Sequence, residues 1–186
     1  ALDHNPSGGV LLIEVCQPHR IAPLVSYYEF GCYLQDQFRF VERLDQRVRA
    51  RLTVRLHSDY VNHKQAEELR WRDFDPNVKL EKGSKAINLL MTESRLAVHS
   101  YDSTGILETL ALNIPTVCFW RGGFDHLVPS AKPFYELLRD AKIYFQNPEE
   151  AARHISQHWD NIDLWWLSKE VQDARHRFCN EFSRLE

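Results

Sequence analysis

The sequence predicts an α/β fold, a Rossmann-like and doubly wound sheet of about six mostly parallel strands, followed by a helical C-terminal tail. Short runs of β-branched and aromatic residues alternate with longer segments of helical periodicity along the 186-residue chain. Two of these runs, 95–100 and 115–120, are apolar almost throughout, as expected of parallel strands that helices cover on both faces. After the last run, helical patterns continue from 148 to about 184 without another strand.

The predicted strands are short, rich in β-branched or aromatic residues, and bounded by more polar segments. In chain order they are 10–15, 53–56, 78–80, 95–100, 115–120 and 142–145. The helical segments between them lie near 32–50, 62–73, 84–94, 104–113 and 131–140. Because strands and helices alternate, each helix is expected to cross over between two parallel strands. We therefore expect a Rossmann-like domain at 1–147 and a helical tail at 148–186 that packs on it.

Composition and charge exclude several classes of protein. The chain has 23 Lys and Arg against 26 Asp and Glu, a net charge of -3, which offers no polybasic surface for nucleic acid. The 4 cysteines are far apart and lack CxxC spacing, which predicts reduced thiols of a cytoplasmic protein rather than zinc sites or disulfides. No apolar run reaches the roughly 18 residues of a membrane span. The 9 histidines have no convincing paired ligand spacing, so no metal is expected.

Polar residues follow several predicted strands at the point where each strand ends. In a parallel sheet these ends share one edge, beyond which ligands bind. His57 closes the second strand, and Asp102, Ser103, Thr104 and Gly105 follow the fourth strand where a helix begins. Ser and Thr are favoured N-caps, so this second group has a purely structural interpretation. The other interpretation is that the free N–H groups of the helix start bind an anion such as phosphate.

The anion interpretation gives each residue at these two strand ends a role. Ser103 and Thr104 lie at the positive end of the helix dipole, and Gly105 allows the backbone to approach a ligand closely. Glu108, one turn further on and on the face of Thr104, is suited to accept hydrogen bonds from ribose hydroxyls beside the phosphate. The alternatives are a solvated glutamate at Glu108 and an ordinary surface or capping histidine at His57. Neither a Walker A motif nor GxGxxG is present, which disfavours P-loop NTPases and dinucleotide-binding dehydrogenases.

Other conspicuous residues have structural interpretations. His99 lies inside the fourth predicted strand and is expected to be a core histidine rather than a ligand. Aromatic residues of a terminal helical tail more often pack against their domain than stack on a sugar, and this applies to Trp159, Trp165 and Trp166. The best candidate for an irregular functional loop is 16–31, because long loops in compact α/β domains are frequently functional.

Five stretches of the sequence resemble a bacterial family of surface-carbohydrate transferases. They are YLQDQFRFVERL, VRLHSDY, SRLAVHSYDSTGILETLALNIPTVCFW, AKPFYELLRDAKIYFQNPEEAARHI and WWLSKEVQDARHRFC, and they extend over nearly the whole chain. A strand that ends in His, with a later Ser/Thr pair that opens a helix, is more distantly similar to the donor-phosphate motifs of GT-B sialyltransferases and Kdo transferases, which use CMP-activated sugars. Those relatives commonly carry Pro after the histidine, where this chain has Ser58. The resemblance therefore supports the GT-B class more than it supports CMP as the nucleotide.

The resemblance implies that the chain is the C-terminal, nucleotide-sugar-binding half of a GT-B glycosyltransferase that builds surface polysaccharide such as capsule or lipopolysaccharide. It implies a CMP- or UDP-linked sugar as donor substrate, a carbohydrate acceptor, and no separate cofactor. His57, Ser103 and Thr104 would stabilise the leaving phosphate, and Gly105 and Glu108 would complete the donor site. The N-terminal GT-B domain and the general base would lie outside this chain, so the fragment alone is expected to be inactive. The resemblance also implies a peripheral position at the inner membrane.

Two other function classes fit the same residues. A GT-B-type nucleotide-sugar epimerase would share the phosphate site, but it would form its product without an acceptor. A non-catalytic nucleotide-binding or scaffold module would keep the fold without turnover, and failure to bind any nucleotide would favour the scaffold.

Overall fold

The core of the fold is a six-stranded parallel sheet, and a computed structural model describes it with its flanking helices over residues 4–15, 27–60 and 66–183. The strands are β1 (Val10–Ile13), β2 (Leu52–Arg55), β3 (Lys79–Glu81), β4 (Leu96–His99), β5 (Thr116–Phe119) and β6 (Tyr144–Phe145). Their order across the sheet is β3-β2-β1-β4-β5-β6, and every neighbouring pair is parallel. This order and pairing confirm the predicted Rossmann-like, doubly wound α/β fold.

Helices lie in every predicted helical segment, although their boundaries differ from the prediction. They are α1 (Tyr27–Arg43), α2 (Gln46–Arg49), α3 (Glu67–Phe74), α4 (Ile87–Glu93), α5 (Thr104–Ala111), α6 (Lys132–Asp140), α7 (Pro148–His158), α8 (Ile162–Trp166) and α9 (Lys169–Phe182), with a 3-10 turn at Trp159–Asn161. Two predicted segments are subdivided: 32–50 contains the end of α1 and all of α2, and the tail contains three helices and the 3-10 turn. Of the predicted loop 16–31, residues 16–26 lie outside the described residues, and 27–31 begin α1. The described part of the chain has no helix that is both long and apolar enough to cross a membrane.

The chain changes its direction of travel across the sheet between β3 and β4. It builds β1, β2 and β3 outward on one side, and then returns to place β4 on the free side of β1. Ile13 of β1 pairs with Arg55 of β2 and with His99 of β4, so these three residues end their strands side by side. Such a switch point leaves a crevice at the carboxyl edge, where open α/β sheets bind their ligands.

Both faces of the central strands are buried, because successive side chains of a strand alternate between the faces and helices cover each of them. The larger core, on the face of α1 and α3, includes Leu12, Phe40, Val54, Trp71 and Val98. The smaller core, on the face of α4, includes Leu11, Ile13, Leu90, Met91 and Ala97. This two-sided burial explains why the strand sequences are nearly continuous apolar runs.

The C-terminal helices pack on the same framework, with α7 against α1 and α9 against α5 and α6. The three tail tryptophans are buried, as the sequence predicts. The indole of Trp166 donates to the carbonyl oxygen and side-chain oxygen of Asn113, at 3.1 and 3.0 Å. The indole of Trp165 donates to the carbonyl oxygen of Ala141 at 3.2 Å. These bonds tie the tail to the turns that follow α5 and α6, so the tryptophans stabilise the fold.

Candidate functional site

A pocket of about 240 Å³ opens at the carboxyl edge of the sheet, at the switch point. Its walls come from the ends of β1, β2 and β4, from one side of α4, and from the first turn of α5. The five residues that the sequence assigns to a donor site all line it, and they are His57, Ser103, Thr104, Gly105 and Glu108. The structure therefore brings together residues that lie up to about a quarter of the chain apart in sequence. Their role in binding remains a prediction.

The start of α5 differs from an ordinary capped helix. Ser103 stands at the N-cap position with extended backbone, φ −140° and ψ 158°, but its side chain makes no capping hydrogen bond. Its Oγ is buried and makes no hydrogen bond of ordinary length within the described residues. The Tyr101 hydroxyl lies nearby in the same pocket: burial raises the pKa of Tyr101, and the Ser103 hydroxyl acts against that rise. The first N–H groups of any helix also lack intrahelical partners. The Ser103 hydroxyl therefore does not act as the cap of α5, and it can form a hydrogen bond with another partner.

Gly105 has a packing requirement that the sequence did not reveal. A Cβ at this position would lie 2.9 Å from Cε1 and 3.3 Å from Nδ1 of His99, and 3.4 Å from Oγ of Ser103. No real Cβ approaches a fixed ring carbon so closely, so the first turn of α5 can rest on the His99 ring only because residue 105 is glycine. Thr104 and Glu108 are exposed, and they flank this contact on the outer side of α5.

His57 enters the pocket from the loop after β2, where it is half-buried. Its Nδ1 accepts a hydrogen bond from the backbone N–H of Asp59 at 3.2 Å. In the neutral ring this bond leaves the proton on Nε2, which makes Nε2 a donor. His57 is thus a second hydrogen-bond donor to the pocket, beside the N–H groups at the start of α5.

Arg55 is a pocket residue that sequence reasoning missed. It is the last residue of β2 and is only 7% exposed, and its Nε lies 2.7 Å from Oε2 of Glu81. Its guanidinium also donates to the carbonyl oxygens of Leu56 and Lys85. These contacts fix a positive charge at the pocket wall. The available signal was a charged residue inside an otherwise apolar strand, which is rare unless the charge is paired.

His99 is buried, as predicted, but it also forms part of the pocket lining. Burial lowers the pKa of its imidazole to about 3, so the ring is neutral at physiological pH. Its Nε2 lies 3.2 Å from Oγ1 of Thr109, and its Nδ1 is buried without a hydrogen-bond partner among the described residues. A buried polar atom without a partner is uncommon in a folded protein.

A second polar cluster lies at the same edge, around Glu14, the residue that follows β1. Oε1 of Glu14 accepts a hydrogen bond from the Trp71 indole at 2.9 Å. Burial, with the nearby charge of Glu67, raises the pKa of Glu14 to about 8. Burial also raises the pKa of Glu67 to about 7, against the effect of Arg70. Two buried carboxyl groups therefore hold protons near neutral pH, which sequence reasoning did not anticipate.

Two neighbouring polar residues are occupied by structural contacts. The Asp102 carboxylate accepts hydrogen bonds from the Tyr135 hydroxyl and from Nε2 of His126, each at 3.0 Å. This is consistent with a turn residue that ties β4 to the segment before α6. The Arg121 guanidinium donates to the carboxylate of Asp36 in α1, which connects the end of β5 to that helix.

No group of three or more His, Cys, Asp or Glu side chains in the described part of the chain could hold a metal ion. The sequence does contain one Asp-x-Asp triplet, Asp73-Phe74-Asp75. It lies at the C-terminal end of α3, at the opposite edge of the sheet from the pocket, and Asp75 is paired with Arg49 at 2.9 Å. Asp75 of this triplet is thus engaged in a contact that stabilises the fold.

A larger pocket, of about 420 Å³, lies at the starts of β1, β2 and β3 on the side of α4. Two of its charged residues, Lys85 and Glu93, form an ion pair with each other at 2.5 Å. No buried polar side chain without a partner lines it in the described residues. The smaller pocket at the switch point is therefore the stronger candidate for a ligand site, because several buried polar atoms of its lining residues have no hydrogen-bond partner in the described residues.

Comparison of the sequence with models of known protein families identifies the family of the chain. The sequence model of a protein family described as LIC12162 family transferase matches residues 1–185, essentially the whole chain. No curated protein matches the chain significantly.

Proposed function

Because the chain belongs to the LIC12162 family of transferases, we propose that it is the donor-binding half of a GT-B-type glycosyltransferase. In this proposal it binds a CMP- or UDP-linked sugar, which is transferred to a surface-polysaccharide acceptor. The observation that carries the proposal is the convergence of His57, Ser103 and Thr104 on one pocket at the switch point of a Rossmann-like sheet. Nucleotides are typical ligands of this position in the fold.

The pocket has the chemistry of a phosphate site. The N-terminus of α5 offers backbone N–H groups and the positive end of a helix dipole, and the hydroxyls of Ser103 and Thr104 stand at the same place. Nε2 of His57 is a further donor, because Nδ1 already accepts from Asp59. Arg55 adds positive charge, although Glu81 balances part of it.

These donors suit the departure of a nucleotide from a sugar. When the bond between the sugar and the phosphate breaks, negative charge develops on the leaving phosphate oxygen. Fixed hydrogen-bond donors around that oxygen stabilise the charge more in the transition state than in the bound substrate. Ser103, Thr104 and His57 would therefore act on the leaving group, and Glu108 would hold a ribose hydroxyl at the pocket mouth.

The acceptor and the residue that removes its proton are assigned to the N-terminal domain of the GT-B pair. A GT-B cleft lies between two domains, and the described pocket forms one wall of such a cleft. The nucleotide sugar, the carbohydrate acceptor and the second domain are the partners in this proposal.

Titration of the chain with CMP, UMP, CDP and UDP tests the proposal, with backbone ¹⁵N–¹H spectra recorded at each step. We expect binding that perturbs the amides of His57 and of residues 103–108, and a His57→Ala variant that binds about tenfold to a hundredfold more weakly, because a hydrogen bond to a charged group is lost. His176→Ala is the matched control, since His176 is exposed on α9. Perturbations confined to the opposite edge of the sheet, or no binding by any of the four nucleotides, would overturn the proposal.

A further inference from the structure

Two polar atoms without hydrogen-bond partners lie near each other at the floor of the switch-point pocket. Nδ1 of His99 and Oγ of Ser103 are both buried and unbonded within the described residues. They lie 3.3 and 3.4 Å from one point, the place that a Cβ of residue 105 would occupy if it were not glycine. Both atoms therefore lie beside Gly105, and all three residues line the switch-point pocket.

The hydrogen bonds around His99 determine which of its nitrogens carries the proton. The Thr109 hydroxyl lies 3.1 Å from the carbonyl oxygen of Gly105 and 3.2 Å from that of Ile106, one and nearly one turn earlier in α5. It donates its single proton to these carbonyl groups, as Thr side chains in helices do, so it accepts from Nε2 of His99. The neutral ring then has its proton on Nε2, and Nδ1 is an acceptor only.

An acceptor at the pocket floor selects the chemistry of the ligand group that reaches it. The lone pair of Nδ1 repels a phosphate oxygen, and burial keeps the ring from taking up a proton to relieve that repulsion. A hydroxyl group, by contrast, donates its proton to Nδ1, and the Ser103 hydroxyl keeps its own single proton for the phosphate. The phosphate is thus directed to the outer side of the helix start, where Thr104 is exposed.

We propose that His99 forms a hydroxyl-recognition subsite beside Ser103, in which Nδ1 of His99 accepts a hydrogen bond from a hydroxyl of the bound nucleotide sugar. The inference rests on the proposed function, since it concerns the same pocket. It makes His99 a substrate-contacting residue rather than a core histidine alone. The hydroxyl belongs either to the ribose or to the transferred sugar, and these two sources are separated by the ligands chosen below.

The test compares ligands that differ by one hydroxyl, in wild type and in His99→Phe. CMP and UMP are titrated beside their 2′-deoxy and 3′-deoxy forms, and CMP-sialic acid and UDP-glucose supply the transferred sugar. If the hydroxyl is that of the ribose, one deoxy form binds wild type about twofold to tenfold more weakly than its parent nucleotide, and His99→Phe removes this difference. His154→Phe is the matched control, because His154 is also buried but lies in α7, away from the pocket.

A measurement on wild type alone keeps the test independent of how well the variant folds. The ¹⁵N resonance of Nδ1 in His99 moves when this nitrogen accepts a hydrogen bond. We expect it to move with CMP or UMP if ribose supplies the hydroxyl, and only with the nucleotide sugars if the transferred sugar does.

The outcomes distinguish the inference from the function on which it rests. Binding of both the nucleotides and the nucleotide sugars at His57 and residues 103–108, with the Nδ1 resonance in place for every ligand and no ligand discrimination lost in His99→Phe, overturns the subsite and leaves the donor site intact. Absence of binding by all of these nucleotides and nucleotide sugars overturns both.

Discussion

Gly105 and His99 are in such close contact that a Cβ at position 105 would lie 2.9 Å from Cε1 of the buried ring, so any larger residue there would force the ring or the helix start to move. The contact joins the end of β4 to the first turn of α5. It also places the Nδ1 of His99 beside the hydroxyl of Ser103. Glycine at this position therefore shapes the candidate site as well as the helix packing.

Gly105→Ala is expected to destabilise the protein by about 1–3 kcal/mol, because the added methyl group displaces either the His99 ring or the helix start. Urea unfolding followed by circular dichroism measures this change. Gly31→Ala is the matched control: Gly31 lies in α1, and a Cβ there meets nothing within 4 Å. That substitution should raise stability by up to about 1 kcal/mol, because alanine is the better helix former. Equal stabilities of Gly105→Ala and wild type would contradict the assigned packing.

The buried carboxyl groups of Glu14 and Glu67 predict a stability that falls as pH rises above 6.5. Their pKa values in the folded protein are raised to about 8 and about 7, against an ordinary 4.5 in the unfolded chain. For each group, at a pH between its unfolded and its folded pKa, the folded state binds more protons than the unfolded state. Each group therefore contributes stability that is lost as pH rises through its folded pKa. The loss is at most about 1.4 kcal/mol per pH unit for each group.

The buried histidines change stability with pH in the opposite direction, and they do so at lower pH. Burial lowers the pKa of His99 to about 3 and that of His154 to about 4, so these residues reduce stability only as pH falls below 6.5. The carboxyl groups therefore dominate the window between pH 6.5 and 8.5. The buried thiols of Cys118 and Cys179, whose pKa values burial also raises, act in the same direction only toward its upper end. Urea unfolding at both ends of this window should give a smaller pH dependence for Glu14→Gln than for wild type. Glu93→Gln is the control, as Glu93 is an exposed partner of Lys85, and an unchanged pH dependence in Glu14→Gln would refute the assignment.

The fold could be predicted from the sequence because its strands are buried on both faces. Runs such as 95–100 have no polar alternation, and this pattern is nearly specific to parallel strands under helices. Helix boundaries were less predictable. The break between α1 and α2, for example, falls where Leu44 packs into the core, and that packing depends on residues far away in the chain.

The candidate site could be predicted in part, because ligands of parallel sheets bind beyond the strand ends and the sequence marks those ends. His57 and Ser103 were found in this way. His99 and Arg55 were not, since both lie within strands, where a side chain's exposure to a pocket depends on how the helices pack. That Nδ1 of His99 lacks a partner is a property of the tertiary structure, and no sequence pattern encodes it directly.

The proposed division of labour predicts that this chain binds a nucleotide but does not transfer a sugar. In that proposal the described pocket supplies the donor contacts, whereas the acceptor contacts and the base would come from a domain outside this chain. Incubation of the 186-residue chain with CMP-sialic acid or UDP-glucose and an oligosaccharide acceptor, followed by mass spectrometry of the products, should give no glycoside. Product that forms only with an acceptor would show that the base lies within the chain, and product that forms without one would favour the epimerase.

The helix start itself provides the sharpest separation of a structural role from a binding role. Ser103 makes no capping hydrogen bond, so Ser103→Ala should change the free energy of unfolding by less than about 0.5 kcal/mol. Asn147 is the control, because its side chain does cap α7 by accepting from the N–H of Glu150 at 3.1 Å. Asn147→Ala should therefore cost about 1 kcal/mol and leave nucleotide affinity unchanged.

Ser103→Asp separates helix stability from nucleotide binding, because it should preserve the first and weaken the second. Aspartate is among the best N-caps and its charge suits the positive end of the helix dipole, so the variant should be folded and at least as stable as wild type. The same charge repels a phosphate at the start of α5, and nucleotide affinity should fall at least tenfold. Isothermal titration with the tightest of the four nucleotides, beside a thermal melt, measures both quantities in one preparation. A stable Ser103→Asp protein with undiminished affinity would mean that any phosphate binds elsewhere, because no hydrogen-bond rearrangement at the helix start removes the repulsion between two negative charges in a small pocket.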